Sequence, residues 1–170
     1  MQNYFNLSYK FTRYLILPLL FLTSGCASFG GPKGTPYAGL NPFKEGAGQI
    51  YIYRPPTSAM ALAIPTLKID GEKALSIRYG SYTVYNLSPG QHTVFVEKNG
   101  NWNVPTVEFK VDIKSNQRLF YRLSPYIAGW SYSTIGFVPV VSGYLYRMTE
   151  DFATTEMGSL LYSGEWSLAN

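Results

Sequence analysis

Residues 66–97 hold four short apolar alternations cut apart by turn residues, and that punctuation leaves the chain few folds to choose from. Leu67 and Ile69 alternate with Lys68 and Asp70, and Asp70-Gly71 then reverses the chain. Leu75 and Ile77 alternate with Ser76 and Arg78 before Gly80 turns it again. Tyr82 and Val84 follow, and Ser88-Pro89-Gly90 makes the next bend. His92, Val94 and Val96 share a face opposite Thr93, Phe95 and Glu97, and Asn99-Gly100 is a further hairpin signal. Successive side chains of a strand point to opposite faces, so each run has one face to bury. Strands this short and turns this regular predict antiparallel hairpins stacked as a sandwich.

The flanks extend the pattern. Residues 49–54 (QIYIYR) set Ile50 and Ile52 against Tyr51 and Tyr53, and Pro55-Pro56 stops the run because proline cannot donate to a ladder. Residues 59–65 read as an insert or a loop lying on the core. Val107, Phe109 and Val111 alternate with Glu108, Lys110 and Asp112. Trp102 and Val104 have the opposite parity, which predicts a bulge or break at Pro105. Ser115-Asn116 turns the chain, after which Leu119, Tyr121 and Leu123 face inward and Arg118, Phe120 and Arg122 outward. Residues 144–148 resume a strand. Thr149 is expected to cap a helix over 150–157, with Glu150 and Asp151 suited to the helix dipole. The expectation is an all-β domain over 49–157: an immunoglobulin-like antiparallel β-sandwich of about seven or eight strands with one short C-terminal helix. The tail, 158–170, carries Leu160, Leu161, Tyr162 and Trp166 and is expected to pack on the domain or add an edge strand.

The N-terminal region has a different character. Lys10 and Arg13 precede an apolar run over 14–22 and the small pair Ser24-Gly25, the layout of a secretory signal. The run is too short to span a hydrocarbon core, which needs about 20 residues. The string 22–26 (LTSGC) resembles the lipobox of bacterial lipoproteins, with Thr23 where an aliphatic residue is usual. The resemblance implies a signal over 1–25, diacylglycerol on the Cys26 sulfur, and acylation of the new amino terminus. Each buried methylene contributes about 0.8 kcal/mol, so several chains hold firmly. The alternatives are an ordinary secretory signal or an uncleaved anchor, with Cys26 incidental. Ala27 stands where, by analogy, an acidic residue marks inner-membrane retention, so the expected location is the outer membrane, with the domain on the periplasmic face. The Gly- and Pro-rich residues 26–48 read as a tether, about 25 Å in root-mean-square reach.

Cys26 is the single cysteine, so disulfides and zinc-thiolate sites are excluded. Removing Lys10 and Arg13 with the signal leaves twelve basic against ten acidic residues, no electrostatic footprint for nucleic acid.

The strings I-D-G-E-K, G-S-Y and L-S-P-G-Q-H-T-V are similar to an uncharacterised family of short bacterial lipoproteins carrying a domain of unknown function, loosely akin to PEGA-type β domains. The matching residues are Ile69, Asp70, Gly71, Gly80, Tyr82, Pro89, Gly90, His92 and Val94. Tyr51 and Arg54-Pro55 match its opening Y-x-Y-R-P pattern, and residues 149–157 its closing acidic helix. These residues bend a chain rather than do chemistry, so the resemblance implies a PEGA-like sandwich and carries no activity, substrate or cofactor.

Candidates for chemistry are few. His92 is the only histidine, and its place beside Val94 and Val96 predicts a structural role. Metal binding needs several converging ligands, and His92 has no His or Cys partner in the domain. Glu108 and Asp112 lie about 13 Å apart along one strand face, too far for a glycosidase pair and consistent with a solvated face. Asp70 reads as part of its turn. No G-x-S-x-G elbow occurs. Neither an enzyme nor a cofactor is expected.

What remains is surface. Residues 123–146 carry no charge and hold Tyr126, Trp130, Tyr132 and Phe137, interspersed with Gly129, Gly136, Pro139 and Gly143. The stretch reads either as an apolar loop folded over one end of the sandwich or as an exposed aromatic surface touching lipid, glycan or a partner protein. Arg118, Phe120 and Arg122 form a basic and aromatic stripe suited to the same partners, or else a solvated face or the inner face of a second sheet. The expected role is non-enzymatic: binding or assisting an envelope protein through an open edge or the apolar stretch. Peptidoglycan or glycan binding through exposed rings is the alternative.

Overall fold

The computed structural model of the chain describes residues 34–56, 61, 63–97, 102 and 107–167. The signal, Cys26, the first part of the tether, residues 59, 60 and 62 of the stretch 59–65, the Asn99-Gly100 turn, the Pro105 break and the last three residues lie outside the described residues.

The described chain runs β1 (Thr35–Pro36), β2 (Gly48–Arg54), β3 (Thr66–Ile69), β4 (Glu72–Ser76), β5 (Ser81–Leu87), β6 (Gly90–Glu97), β7 (Val107–Ile113), β8 (Arg118–Ser133), β9 (Gly136–Met148), α1 (Glu150–Met157) and β10 (Leu161–Ser167). Two sheets form, one in the order β1-β10-β5-β2-β8-β9 and the other β4-β3-β6-β7. The expected all-β sandwich with one short helix is what the chain builds. Among the described residues the domain span holds eight strands, β2 to β9, in line with the seven or eight expected, and β1 and β10 add to them from outside it; most pairings are antiparallel, while β2 with β8 and β10 with β5 are parallel. The first of these follows from the turn after β7. Asn116, at φ 56°, swings the chain from the second sheet to the first, and Gln49 N–H then donates to the Gln117 carbonyl at 2.8 Å.

The main core fills the space between the sheets. Ile50 and Ile52 of β2 meet Leu67, Ile69, Val94, Val96, Val111 and Ile113 there, joined by Leu119, Tyr121 and Leu123 from β8. These are the inward positions that period-2 alternation assigns.

The opposite face of β2 departs from the expectation that each run has one face to bury. Tyr51 and Tyr53 are fully buried, in a second core with Tyr82, Val84, Phe120, Ala153, Met157 and Leu160. Helix α1 and the segment before β2 form the lid. Glu156 accepts from the Tyr53 hydroxyl at 2.7 Å and from Arg122 Nε at 3.0 Å, which ties the helix to the sheet. Thr149 occupies the N-cap but makes no side-chain capping bond, so burial of Ala153 and Met157 holds α1 rather than its cap.

From Gly34 onward the residues read as tether are laid on the sandwich. β1 pairs with β10, and Tyr37 and Leu40 pack on the second core. Asn41 N–H donates to the Tyr51 hydroxyl at 2.8 Å, and Gln49 Nε2 donates to the Pro42 carbonyl at 2.8 Å. Glycine and proline hid this docking in the sequence because they break periodicity without preventing contact.

Candidate functional site: a projecting uncharged ribbon

The uncharged stretch over 123–146 is neither a loop nor a lid. It forms most of β8 and β9, paired residue by residue from Phe120↔Met148 to Ser133↔Gly136. β2 flanks β8 only from Arg118 to Arg122, so beyond that point the two strands run on as a ribbon whose edges pair with no other strand among the described residues. The register shifts between Ile127 and Gly129, where Ala128 is the extra residue of a bulge. At the far end Thr134 and Ile135 form the connection, and Gly136, at φ 109°, adopts the left-handed backbone that lets the chain reverse. The Ser133 hydroxyl donates to the Gly136 carbonyl at 3.1 Å and accepts from Ile135 N–H at 3.3 Å.

Residues directly opposite in an antiparallel ladder share a face. Ile127↔Val141, Trp130↔Pro139 and Tyr132↔Phe137 continue the face that carries Tyr121 and Leu123 into the main core. The other face alternates smaller groups: Gly129↔Val140, Ser131↔Val138 and Ser133↔Gly136. Trp130 is 63% exposed, Phe137 75%, Tyr132 79% and Ile135, at the apex, 88%. Tyr132 and Phe137 pack edge to face at 5.6 Å. Nearer the base, Tyr126 and Tyr144 stack at 4.8 Å and Tyr146 lies 5.8 Å from Tyr144. Tyr146 also lines a cavity of about 450 Å³ with Arg122, Arg147, Met148, Phe152 and Glu156.

Arg118, Phe120 and Arg122 do not join this surface. Phe120 is 2% exposed and stacks on Tyr51 at 5.0 Å. Arg118 lies 4.1 Å over the Phe43 ring and donates to the Asn41 carbonyl at 2.9 Å, while Arg122 is held by Glu156. The stripe is neither an open surface nor the inner face of a second sheet: residues 37–43 and α1 cover it instead.

A family profile described as protein of unknown function (DUF2846) matches residues 44–129, which is 86 of the 170 residues. The chain belongs to the DUF2846 family. Comparison with curated proteins finds no match. The segment shared with DUF2846 runs from ahead of β2 to the bulge of β8, so it holds Asp70 and His92 but stops short of Trp130, Tyr132, Ile135 and Phe137.

Within the DUF2846 segment the structure joins two residues that sequence reasoning kept apart. Asp70 and Gly71 both take positive φ, 53° and 84°, in the tight turn between β3 and β4. The Asp70 carboxylate lies 2.6 Å from His92 Nδ1 and accepts from Thr93 N–H at 2.8 Å. His92 Nε2 lies 2.8 Å from the Ser88 carbonyl. With acceptors at both ring nitrogens, the imidazolium is the form that satisfies the site. Burial alone lowers the His92 pKa, but the bonds to Asp70 and Ser88 and the Asp70 charge outweigh it and raise the group above its ordinary value. Burial likewise raises Asp70, and the bonds from His92 and Thr93 together with the imidazolium charge bring it below the usual carboxylate range. The pair staples the β3–β4 turn to the Ser88-Pro89-Gly90 bend at the mouth of a cleft of about 530 Å³. A signal was present: Ile69 opposite Val94 puts Asp70 next to Thr93 and within reach of His92. Among the described residues, no group of three His, Cys, Asp or Glu side chains is placed to hold a metal ion.

At the end of β2 the buried Arg54 donates through Nη1 to the carbonyls of Ala63 and Ile77 and lies 5.7 Å over Trp102. Burial lowers its pKa to about 10, so it stays charged at neutral pH. Arg54 thus acts as a cationic pin of the main core.

Proposed function

We propose that this DUF2846 protein is a non-enzymatic accessory lipoprotein of the bacterial outer membrane, acting by contact through the β8–β9 ribbon. The observation that carries the reading is the ribbon itself. The domain closes both of its cores, yet leaves an apolar, ring-bearing hairpin with no charge from Leu123 to Tyr146 standing in solvent. Exposed contiguous apolar surface of this kind marks interaction sites rather than folding elements. The lipobox-like string ending at Cys26 supports attachment to the membrane. Both nitrogens of the only histidine are engaged by Asp70 and Ser88, so that ring has no free nitrogen with which to take a substrate's proton.

Two measurements test the proposal. Metabolic labelling with a fatty-acid probe is expected to mark the native chain and not Cys26→Ser. A photo-crosslinking residue placed at Tyr132 is expected to trap envelope lipid or protein in cells, whereas one at the solvated Asp112 is not. Equal yields from the two sites would remove the ribbon as the contact element.

A second reading rests on the Tyr126, Tyr144 and Tyr146 group and the 450 Å³ cavity that Tyr146 lines, where ring edges and the Arg122–Glu156 pair would meet glycan. Co-sedimentation with purified peptidoglycan, lost in Tyr144→Ala, is its test.

A further inference from the structure

We infer that the ribbon's partner is the lipid bilayer itself, entered by the tip formed by Tyr132, Ile135 and Phe137. This rests on the proposal that the ribbon is the contact element and Cys26 the anchor.

Four features favour lipid. The first is polarity. Protein interfaces keep a polar rim, whereas the charged positions nearest the tip on either strand are Arg122 and Arg147, at the ribbon's base. The second is the turn. Hairpin connections in water favour Gly, Asn, Asp, Ser or Pro, yet this one puts Ile135 at its apex, more exposed than any other large apolar residue described. The third is the order of side chains behind it. Tyr132 and Phe137 come first and Trp130 next, so amphipathic rings sit where a shallowly inserted tip would meet the headgroup boundary. The fourth is Pro139. It lies on the open edge strand and interrupts the row of donors that a second copy or an extended peptide would pair with.

The same backbone limits the depth. Among the described residues no strand pairs with either ribbon edge, so amide groups there stay open, and each such group costs several kcal/mol in hydrocarbon. A single ribbon therefore dips rather than spans. The tether adds an orientation. Pairing across the first sheet through Tyr162, Tyr82 and Tyr53 sets Thr35 level with Arg122. The tip lies eleven residues further along β8, about 36 Å at roughly 3.3 Å per residue. Thr35 lies nine positions after Cys26, a reach of about 30 Å at full extension. Anchor and tip meet one membrane only if the ribbon enters obliquely, tilted toward the β1 edge.

The test uses the full acylated chain in phosphatidylcholine vesicles. Thr134→Cys carries an environment-sensitive fluorophore, the Cys26 sulfur being occupied by lipid, and Ser115→Cys, in the turn at the opposite end of β8, is the control. The Thr134 label is expected to shift to the blue, escape quenching by aqueous iodide, and be quenched by lipids brominated on their upper acyl carbons. The Ser115 label should do none of these. Adding Ile135→Asp and Phe137→Asp should reduce the inserted fraction about tenfold, since carboxylates are strongly disfavoured among acyl chains. Both positions are solvent-exposed, and an unchanged melting temperature confirms the fold. The inference is overturned if the Thr134 label stays as open to iodide as the Ser115 label. It is equally overturned if that label is shielded without bromolipid quenching, the mark of a protein groove or a second copy, or if the Asp pair leaves quenching unchanged. Mass spectrometry of the same sample tests the anchor separately, because an unmodified Cys26 refutes the attachment and not the dip.

Discussion

The two halves of the β8–β9 hairpin share one hydrogen-bonded ladder and one kind of composition, yet live in opposite surroundings. At the base, Tyr121, Leu123 and Val141 go into the main core while Phe120 goes into the second. Beyond the bulge, Trp130, Tyr132 and Phe137 meet solvent. What separates the halves is the layer available to cover them. The second sheet covers one face of the base, and α1 with residues 37–43 covers the other. Neither reaches the distal half. Isolated two-stranded ribbons are marginal in water, so the base templates the ribbon and the bare face is surplus to folding.

The two halves should differ most in what their side chains contribute to packing. Ile52→Ala, at a fully buried position, should cost about 2–5 kcal/mol in urea unfolding, while Trp130→Ala should stay within about 0.5 kcal/mol of the native chain. Equal losses would mean that the ribbon belongs to the cooperative core.

Glycines sharpen the same contrast. A Cβ at Gly143 would lie 2.7 Å from the Trp102 ring, so Gly143→Ala should cost about 1–3 kcal/mol. A Cβ at Gly129 has nothing within 4 Å, and Gly129→Ala should be neutral to within about 0.5 kcal/mol in the same assay.

The third contrast is in pH. His92 is raised in the folded state, so its contribution is complete below the ordinary histidine value and fades as pH rises through the folded one. Asp70 is lowered, so its contribution is present above the ordinary carboxylate value and fades as pH falls through the folded one. The staple is therefore strongest between about pH 4 and 6.5. His92→Gln should lower the melting temperature more at pH 5.5 than at pH 8.5. The free-energy difference should be about 1 kcal/mol or less, since the Asp70 side chain is 38% exposed and screened by water. The ribbon has no carboxylate or histidine between Leu123 and Tyr146, so Tyr132→Ser should show no such dependence over this range.

The smallest effect is expected at Thr149→Ala. An N-cap substitution ordinarily costs about 1 kcal/mol, but with no capping bond to lose the change here should be under about 0.5 kcal/mol by thermal melting.

The turns were legible because their chemistry is local. Asp70-Gly71 needs two positive φ angles, and those residues supply them at low cost. The inward set Ile50, Ile52, Leu67, Ile69, Val94, Val96 and Val111 was legible for a similar reason, since a strand alternates whatever lies beyond it. Tyr51, Tyr53 and Phe120 were not. Alternation tells that they oppose the isoleucines, and only a later helix and an earlier segment decide that they are covered too. The ribbon was illegible for two reasons. Valine and aromatic residues on both its faces blur the polar half of the pattern, and the bulge at Ala128 shifts the parity of the residues after it. Its exposed rings, Tyr126, Trp130, Tyr132 and Phe137, were nevertheless identifiable as surface candidates from the absence of charge around them. Arg118 and Arg122 were misleading because an arginine on a sheet face is dry or wet according to its neighbours.

Taken alone, the amino-acid sequence determined where this chain bends, which residues of each strand form the main core, and that one long stretch would lack charge. Those properties depend on φ preferences and on a repeat of two, which act over a few residues. Only the tertiary structure decided that the uncharged stretch stands out as a hairpin, that a second core lies behind the first sheet, and that Asp70 grips His92. Such outcomes depend on which distant segments come to rest against one another, and no local periodicity carries that information.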